Sequence, residues 1–303
     1  MSFESDALIV RRRLKRRLGL WRLAAIVFAA GLVLALIGTR DALIAREHVS
    51  RLTVEGIITE NLARDRALRR LADDRRVRAL IVHIDSPGGT VVGGETLYRR
   101  LRDVAAKKPV VAVMGTVAAS GGYMTALGAD HILARAGTLT GSIGVVIQTA
   151  DITGLLKKLG IEAESIKSAP LKAIPNPLEE LTEEGREATR AVVNDMYEMF
   201  VDMVAERRGL DRPAALALAD GRVYTGRQAV ANRLVDAIGG EAEARAWLHS
   251  EHDIPESLPV EDVRVRRPGE DVLGVVGRLI GKTLFSERLT LDGLVSVWHP
   301  ENG

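Results

Sequence analysis

The sequence predicts an α/β fold in which helices cover a mostly parallel sheet, preceded by one N-terminal transmembrane helix. Two observations favour this class. From residue 50 onward, short β-branched runs alternate with helical segments, a pattern typical of parallel strands joined by helical crossovers. Before them, a cluster of basic residues leads into a long uncharged run, which is typical of a membrane anchor.

The uncharged run, Leu23 to Gly38, has sixteen residues, slightly fewer than the roughly 20 that a spanning helix needs. Residues 20–22 can extend it toward the interface, so we expect an anchor at residues 20–39. Six of the seven residues from Arg11 to Arg17 are basic, which places residues 1–19 in the cytoplasm and the later chain outside. A cleaved signal peptide is the alternative, although no clear small-x-small cleavage site follows the run.

The strands and helices of the body follow in order. Strands are predicted at residues 52–58, 77–85, 110–114, 132–134 and 143–148, and another ends near residue 166. Helices are predicted between the first two strands and at residues 93–107, 120–127, 152–159, 182–208, 212–219, 226–233 and 241–250. Three prolines at residues 169–177 predict an irregular loop.

Beyond the folded body at residues 50–250, the chain changes character. Residues 254–268 are charged and contain proline, whereas Val272 to Leu284 is apolar with two cations. This second stretch could lie on a membrane surface, on a neighbouring subunit or on the parent domain. The role of residues 251–303 therefore stays open.

Composition excludes several function classes. Lys and Arg exceed Asp and Glu only by 42 to 40, and the basic cluster near the N-terminus leaves the body nearly neutral, which argues against nucleic-acid binding. The chain has no cysteine, so disulfides, thiolate metal sites and a Cys nucleophile are excluded. The six histidines show no metal-binding spacing. We expect no metal and no cofactor.

Three glycine-bearing loops follow predicted strands: Asp85–Gly89, Ala118–Gly122 and Thr140–Gly144. Loops at the carboxyl ends of parallel strands converge on one crevice, so we expect a common site. Gly88, Gly89 and Gly121 could offer unobstructed backbone N–H groups to an oxyanion. A phosphate-binding loop or a plain tight turn remains possible for each.

Ser120 lies where a strand ends and a helix is predicted to begin, which suits a nucleophile but equally suits an ordinary helix N-cap. A serine nucleophile needs a base. His83 and His131 are candidates, but Lys172 is favoured because small and apolar residues surround it in the proline-rich loop. Removal from water disfavours an ammonium group, so a lysine in such a loop can act as a neutral base.

Four motifs together resemble those of the bacterial signal peptide peptidase A family in its short, single-repeat form, within the Clp-protease/crotonase fold group. They are Asp85–Gly89, Ala119–Tyr123, Thr140–Gly144 and Ile166–Lys172. The resemblance covers roughly residues 50–250 and implies a parallel sheet with flanking helices. Carried over by motif, it implies Ser120 as nucleophile, Lys172 as general base, Ser142 as a hydroxyl that orients the lysine, and Gly88 or Gly89 with Gly121 as oxyanion donors.

The resemblance also implies a membrane-bound serine endopeptidase that degrades remnant signal peptides and similar apolar peptides. It implies homo-oligomers with sites at subunit interfaces, contact with membrane lipid, and a single-pass protein of the bacterial inner membrane with a periplasmic catalytic domain. A peptidase that cuts intact membrane proteins, a crotonase-like acyl-CoA enzyme and a non-catalytic homologue are the alternatives.

Overall fold

The computed structural model describes residue 18, residues 21–26, 28–29 and 46–265, and the backbone of residues 295–297. The chain divides into two compact units, Met1–Arg46 and Glu47–Gly303. In the first unit residues 18, 21–26 and 28–29 are helical, and side chains such as Trp21 are exposed. No helix among the described residues is both long and apolar enough to cross a bilayer. Most of the predicted anchor at 20–39, and all but residue 18 of the basic segment at 1–19, lie outside the described residues.

The second unit is built on one sheet. Its described strands are β1 (His48–Ile58), β2 (Val77–Thr90), β3 (Val110–Ala119), β4 (His131–Ala134), β5 (Leu139–Gly141), β6 (Val223–Thr225), β7 (Ala237–Ile238), β8 (Val260–Asp262) and β9 (Val295–Val297). The order along the sheet is β6-β5-β3-β2-β1-β8, with β4 beside β3 and β7, and β9 beside β2. This order places β2, β3 and β5 side by side.

The sheet is mixed rather than parallel throughout. Among the described strands, β5 pairs with β6 and β2 pairs with β9 in antiparallel fashion, and the other pairings are parallel. The α/β class is thus confirmed and the parallel sheet is confirmed at its centre. Of the two antiparallel strands in the described part of the chain, β6 is the last strand at one end of the sheet, and β9 pairs only with the carboxyl end of β2.

Helices cover both faces. They are α1 (Leu62–Asp73), α2 (Val91–Ala105), α3 (Gly121–Ala126), α4 (Thr153–Lys158), α5 (Glu183–Arg208), α6 (Arg212–Leu218), α7 (Gly226–Ala231) and α8 (Glu241–His252). In β2, Leu80, Val82 and Ile84 enter the larger core, whereas Ala79 and Ile81 enter a second core with residues of α8. Burial on both faces explains why the central strands read as nearly continuous apolar runs.

Several predicted elements differ from the observed ones. β2 and β3 extend beyond the predicted ends, to Thr90 and Ala119, because backbone pairing continues through the glycine-rich motifs. The strands predicted at 143–148 and near residue 166 were wrong: residues 142–152 contain only an isolated bridge at Val146, and 159–182 contain no regular structure. Few partners cover this part of the chain, so local β propensity does not produce a strand there.

The predicted C-terminal extension contributes to the sheet. β8 pairs with Val49–Arg51 of β1, and the backbone of β9 pairs with Gly88–Thr90 of β2. The apolar stretch at 272–284 lies outside the described residues.

Candidate active site

The three glycine-bearing loops meet at one edge of the sheet, as expected. Ser86 of β2 is in register with Ala118 of β3, and Ala119 is in register with Gly141 of β5. Because these strands are parallel neighbours, their carboxyl ends open on the same side. Ser120, Ser142 and the Gly88–Gly89 pair therefore lie around one crevice.

Ser120 adopts an unusual backbone conformation, with φ 55° and ψ −117°. Ser120 occupies the N-cap position of α3, where its carbonyl oxygen accepts the N–H of Met124 at 2.9 Å, but its side chain forms no capping bond. The residue is 1% exposed. A non-glycine residue held at positive φ costs about 1 to 3 kcal/mol, and such strain concentrates at functional sites. A sharp strand-to-helix turn of this kind is how other hydrolases present a nucleophilic serine.

The glycines beside Ser120 leave no room for side chains. A methyl group built on Gly121 would lie 3.2 Å from the backbone nitrogen of Gly89 and 3.4 Å from Cα of Gly88. A methyl group on Gly89 would lie 1.9 Å from the carbonyl oxygen of Ile58. Close backbone approach, rather than turn geometry alone, is what these positions require.

Ser86 is a site residue that sequence reasoning missed. It is fully buried, and its hydroxyl donates to the carbonyl oxygen of Gly56 at 2.6 Å and accepts from the N–H of Gly88 at 3.1 Å. Ser86 thus fixes the turn that precedes Gly89. The Gly88 N–H therefore already has a partner within the protein. The only sequence signal was a serine inside the first glycine motif.

Ser142 follows β5 directly and has φ 50°. Its N–H donates to the carbonyl oxygen of Arg222 at 2.8 Å, and its neighbour Gly141 accepts the N–H of Ser120 at 2.8 Å. Ser142 therefore directly follows the backbone partner of Ser120. The structure brings the two predicted hydroxyls to the same loop cluster.

Lys172 lies in the irregular loop predicted for residues 169–177, where its N–H donates to the carbonyl oxygen of Ala169 at 3.1 Å. The residue is exposed in the single chain. The burial expected from its apolar neighbours in sequence is thus absent, because those neighbours are themselves largely exposed. Ser120, by contrast, is buried.

The two histidine candidates lie elsewhere on the sheet. His131 begins β4 and pairs with Val111 near the start of β3, at the opposite edge from Ser120. It stacks on Trp247 at 4.8 Å, and burial lowers its pKa despite the nearby Asp236 carboxylate. His83 lies inside β2, in register with Val113. Neither position suits a base for Ser120.

A groove of about 810 Å³ lies between the segment that follows Ser142 and α5, and none of the predicted site residues lines it. Val145 and Ile147, which follow Ser142, form one wall, and Pro175, from the loop of Lys172, and Val193 of α5 contribute to the remainder. The groove thus joins the segment after Ser142 to the loop that carries Lys172.

Comparison with known proteins identifies the family. Residues 102–254 match the family described as Peptidase family S49, a range that contains Ser120, Ser142 and Lys172. The chain belongs to peptidase family S49. By this assignment it is a serine protease and not a crotonase-like acyl-CoA enzyme.

Relatives within this family carry consistent names. The Synechocystis sp. protein named "Putative protease slr0021" is 37% identical over 239 residues, which are 78% of this chain and 84% of the relative. The Enterococcus faecium protein named "Putative signal peptide peptidase SppA" is 36% identical over 64% of this chain and 57% of its own. "Serine protease SPPA, chloroplastic" of Arabidopsis thaliana is 33% identical over 79% of this chain and 35% of its own. The chain thus spans little more than half of the second relative and about a third of the third.

Proposed function

We propose that this S49 peptidase hydrolyses peptides with a Ser-Lys dyad in which Ser120 is the nucleophile and Lys172 the general base. One observation carries the proposal: Ser120 is buried in a strained strand-to-helix turn, its side chain does not cap the helix, and glycine backbone surrounds it. Backbone strain of this kind concentrates at functional sites, and a strained strand-to-helix turn presents the nucleophilic serine in α/β-hydrolases.

The chemistry proceeds in two stages. The Ser120 hydroxyl oxygen attacks the scissile carbonyl carbon while the uncharged amine of Lys172 accepts its proton. The N–H groups of Gly89 and Gly121 hold the oxyanion, and each such donor contributes about 3 kcal/mol to barrier reduction. The C–N bond breaks as the lysine ammonium protonates the leaving amine, and water then hydrolyses the acyl-enzyme by the same route.

A neighbouring copy of the chain completes the site. An amine surrounded by water stays protonated, so a lysine base needs cover that the single chain does not provide. The segment around Lys172 exposes large apolar side chains, including Leu159, Ile166 and Leu171. A patch of this kind is typical of a subunit contact. Burial of this segment against a second copy would remove the amine from water and carry it to the partner's serine.

The substrate is an extended, apolar peptide. The chain's own β9, residues 295–297, pairs antiparallel with Gly88–Thr90 of β2 beside the proposed oxyanion donors, and we infer that a substrate peptide takes its place there. A peptide that adds to a sheet edge gains affinity from backbone bonds and specificity from alternate side chains. Remnant signal peptides have this apolar character, and a relative carries the corresponding name.

The N-terminal sequence supports a location at the inner membrane. Basic residues 11–17 before the uncharged run support an inner-membrane anchor with the catalytic domain in the periplasm. In this position the enzyme would meet peptides that leave the bilayer. Intact membrane proteins are the competing substrate class at the same site.

Labelling with a serine-directed acylating probe tests the nucleophile. Peptide mass mapping should place the label on Ser120, and the Ser120→Ala and Lys172→Ala variants should remain unlabelled. Ser86→Ala should retain the label, because Ser86 holds the turn and does not attack. Label on another serine would overturn the proposed dyad.

A further inference from the structure

The loop that carries Lys172 begins and ends at an ion pair. The ammonium of Lys167 donates to Oε2 of Glu179. The two side chains are 15% and 28% exposed, and Lys167 is the one residue of the stretch 161–173 that is not exposed. A second lysine near the proposed base, Lys167, is therefore partly buried and forms an ion pair, unlike its exposed neighbours.

Further bonds brace the loop between the two charges. The side-chain amide of Asn176 donates to the carbonyl oxygen of Ala173 at 3.0 Å, and its carbonyl oxygen accepts the N–H of Leu178 at 2.9 Å. Within the loop, the side chain of Ile174 packs closely on the first turn of α5: a methyl group built on Gly185 would lie 2.8 Å from it. The ion pair thus joins the ends of a folded loop, and Lys172 lies near its middle.

The carboxylate of this pair stays charged. The hydrogen bond from Lys167, followed by one from Ser165, lowers the pKa of the Glu179 carboxyl from its ordinary value. Glu179 is therefore ionised at neutral pH. Because the amine of Lys167 donates to this carboxylate, it is not available to accept the proton of Ser120, which separates the roles of the two lysines in this segment.

We propose that Lys167 and Glu179 are positioning residues whose ion pair clasps the loop of Lys172 and presents its amine to the nucleophile. This inference rests on the proposed function of Lys172 and deepens it. The clasp contacts neither substrate nor reacting atoms. Its effect is to reduce the number of conformations that the loop samples, and a misplacement of about 1 Å at a reacting group costs about 100-fold in rate.

The test compares this pair with a matched one on the same segment. Lys157 and Glu180 also form an ion pair, at 3.5 Å, but their side chains are 73% and 74% exposed. The clasp variants are Lys167→Met, Glu179→Gln and the double exchange Lys167→Glu with Glu179→Lys. The controls are Lys157→Met and Glu180→Gln. Lys172→Ala is measured alongside, in the full chain and with one apolar peptide ester.

We expect each single clasp variant to lower kcat at least about tenfold with KM within about twofold, since the loop is misplaced but the peptide still binds. The double exchange should recover most of the loss, and both controls should keep kcat within about twofold, as exposed pairs contribute little. Melting temperatures should stay near that of the unaltered protein.

Trypsin cleavage after Lys172, followed in a Ser120→Ala background, gives a readout that does not depend on activity. Loss of the clasp should accelerate this cleavage, and the control variants should not. If Lys172→Ala is inactive while the clasp variants are fully active and are cleaved as slowly as the unaltered loop, the clasp alone is overturned. A fully active Lys172→Ala would instead overturn the dyad and the clasp with it. Failure of the double exchange to recover activity also counts against the clasp.

Discussion

The N–H of Ser120 donates to the carbonyl oxygen of Gly141 at 2.8 Å. This bond continues the pairing of β3 with β5 by one residue beyond the end of the strand. It therefore ties the turn of the proposed nucleophile to the loop that begins with Ser142. The local strain at Ser120 is maintained by the sheet, and does not depend on the substrate.

The strain at Ser120 predicts that two inactive variants differ in stability. Ser120→Ala and Ser120→Gly should both abolish hydrolysis. Glycine tolerates φ 55°, so Ser120→Gly should be more stable than Ser120→Ala by up to about 1 kcal/mol, after subtraction of the chain entropy that glycine adds to the unfolded state. Urea unfolding of both variants measures this difference. A glycine variant less stable than the alanine variant would contradict the strain argument.

Mixed oligomers test whether the dyad forms across subunits. Ser120→Ala and Lys172→Ala subunits, each inactive alone, should regain about a quarter of the sites when equal amounts are unfolded together and reassembled, because each site draws one residue from each of two copies. Peptide ester hydrolysis reports the recovery. Reassembly of each variant with itself is the control, and zero recovery in well-formed mixed oligomers would place both residues within one chain.

The close approach of Gly121 to the backbone of Gly89 predicts that an alanine at position 121 disturbs the proposed oxyanion donors. Gly121→Ala should lower kcat/KM about tenfold, because the added carbon, 3.2 Å from the backbone nitrogen of Gly89, shifts this proposed donor by a few tenths of an ångström.

Gly137 provides the control. A methyl group there would contact nothing within 4 Å, so Gly137→Ala should keep nearly full activity. Equal activity in the two variants would show that the close approach at Gly121 is irrelevant to catalysis.

Tyr123 joins the helix that follows Ser120 to a distant segment. Its buried hydroxyl donates to the carbonyl oxygen of Leu234 at 2.9 Å, and burial raises its pKa, which keeps the donor protonated. Tyr123→Phe should cost about 1 to 3 kcal/mol of unfolding free energy, since a buried carbonyl loses its donor.

The matched change is Tyr197→Phe. The hydroxyl of Tyr197 donates to the carbonyl oxygen of Ala219 at 3.0 Å in a partly buried setting, where water can replace the donor. Its cost should be clearly smaller. Urea denaturation of the two variants compares them, and equal costs would argue against a special role of burial at Tyr123.

Much of the fold was predictable because both faces of the central sheet are buried. Long apolar runs separated by helical periodicity marked β2, β3 and their helices within a few residues. The segment after Ser142 was mispredicted as strand because β-branched residues there lack neighbouring backbone to pair with. Ser86 was missed for a related reason: its importance depends on Gly56, thirty residues away along the chain.

The sequence alone determined the α/β class, the convergence of three glycine loops and the identity of the residues at that convergence, since strand direction and glycine spacing are local properties. The tertiary structure decided the features that depend on contacts between segments far apart in the sequence. It placed Ser120 at the N-cap of α3 in a strained conformation without a side-chain capping bond, separated His131 from the site and left Lys172 exposed while it paired Lys167 with Glu179. Burial and charge pairing depend on which surfaces meet, and no local pattern of residues records that.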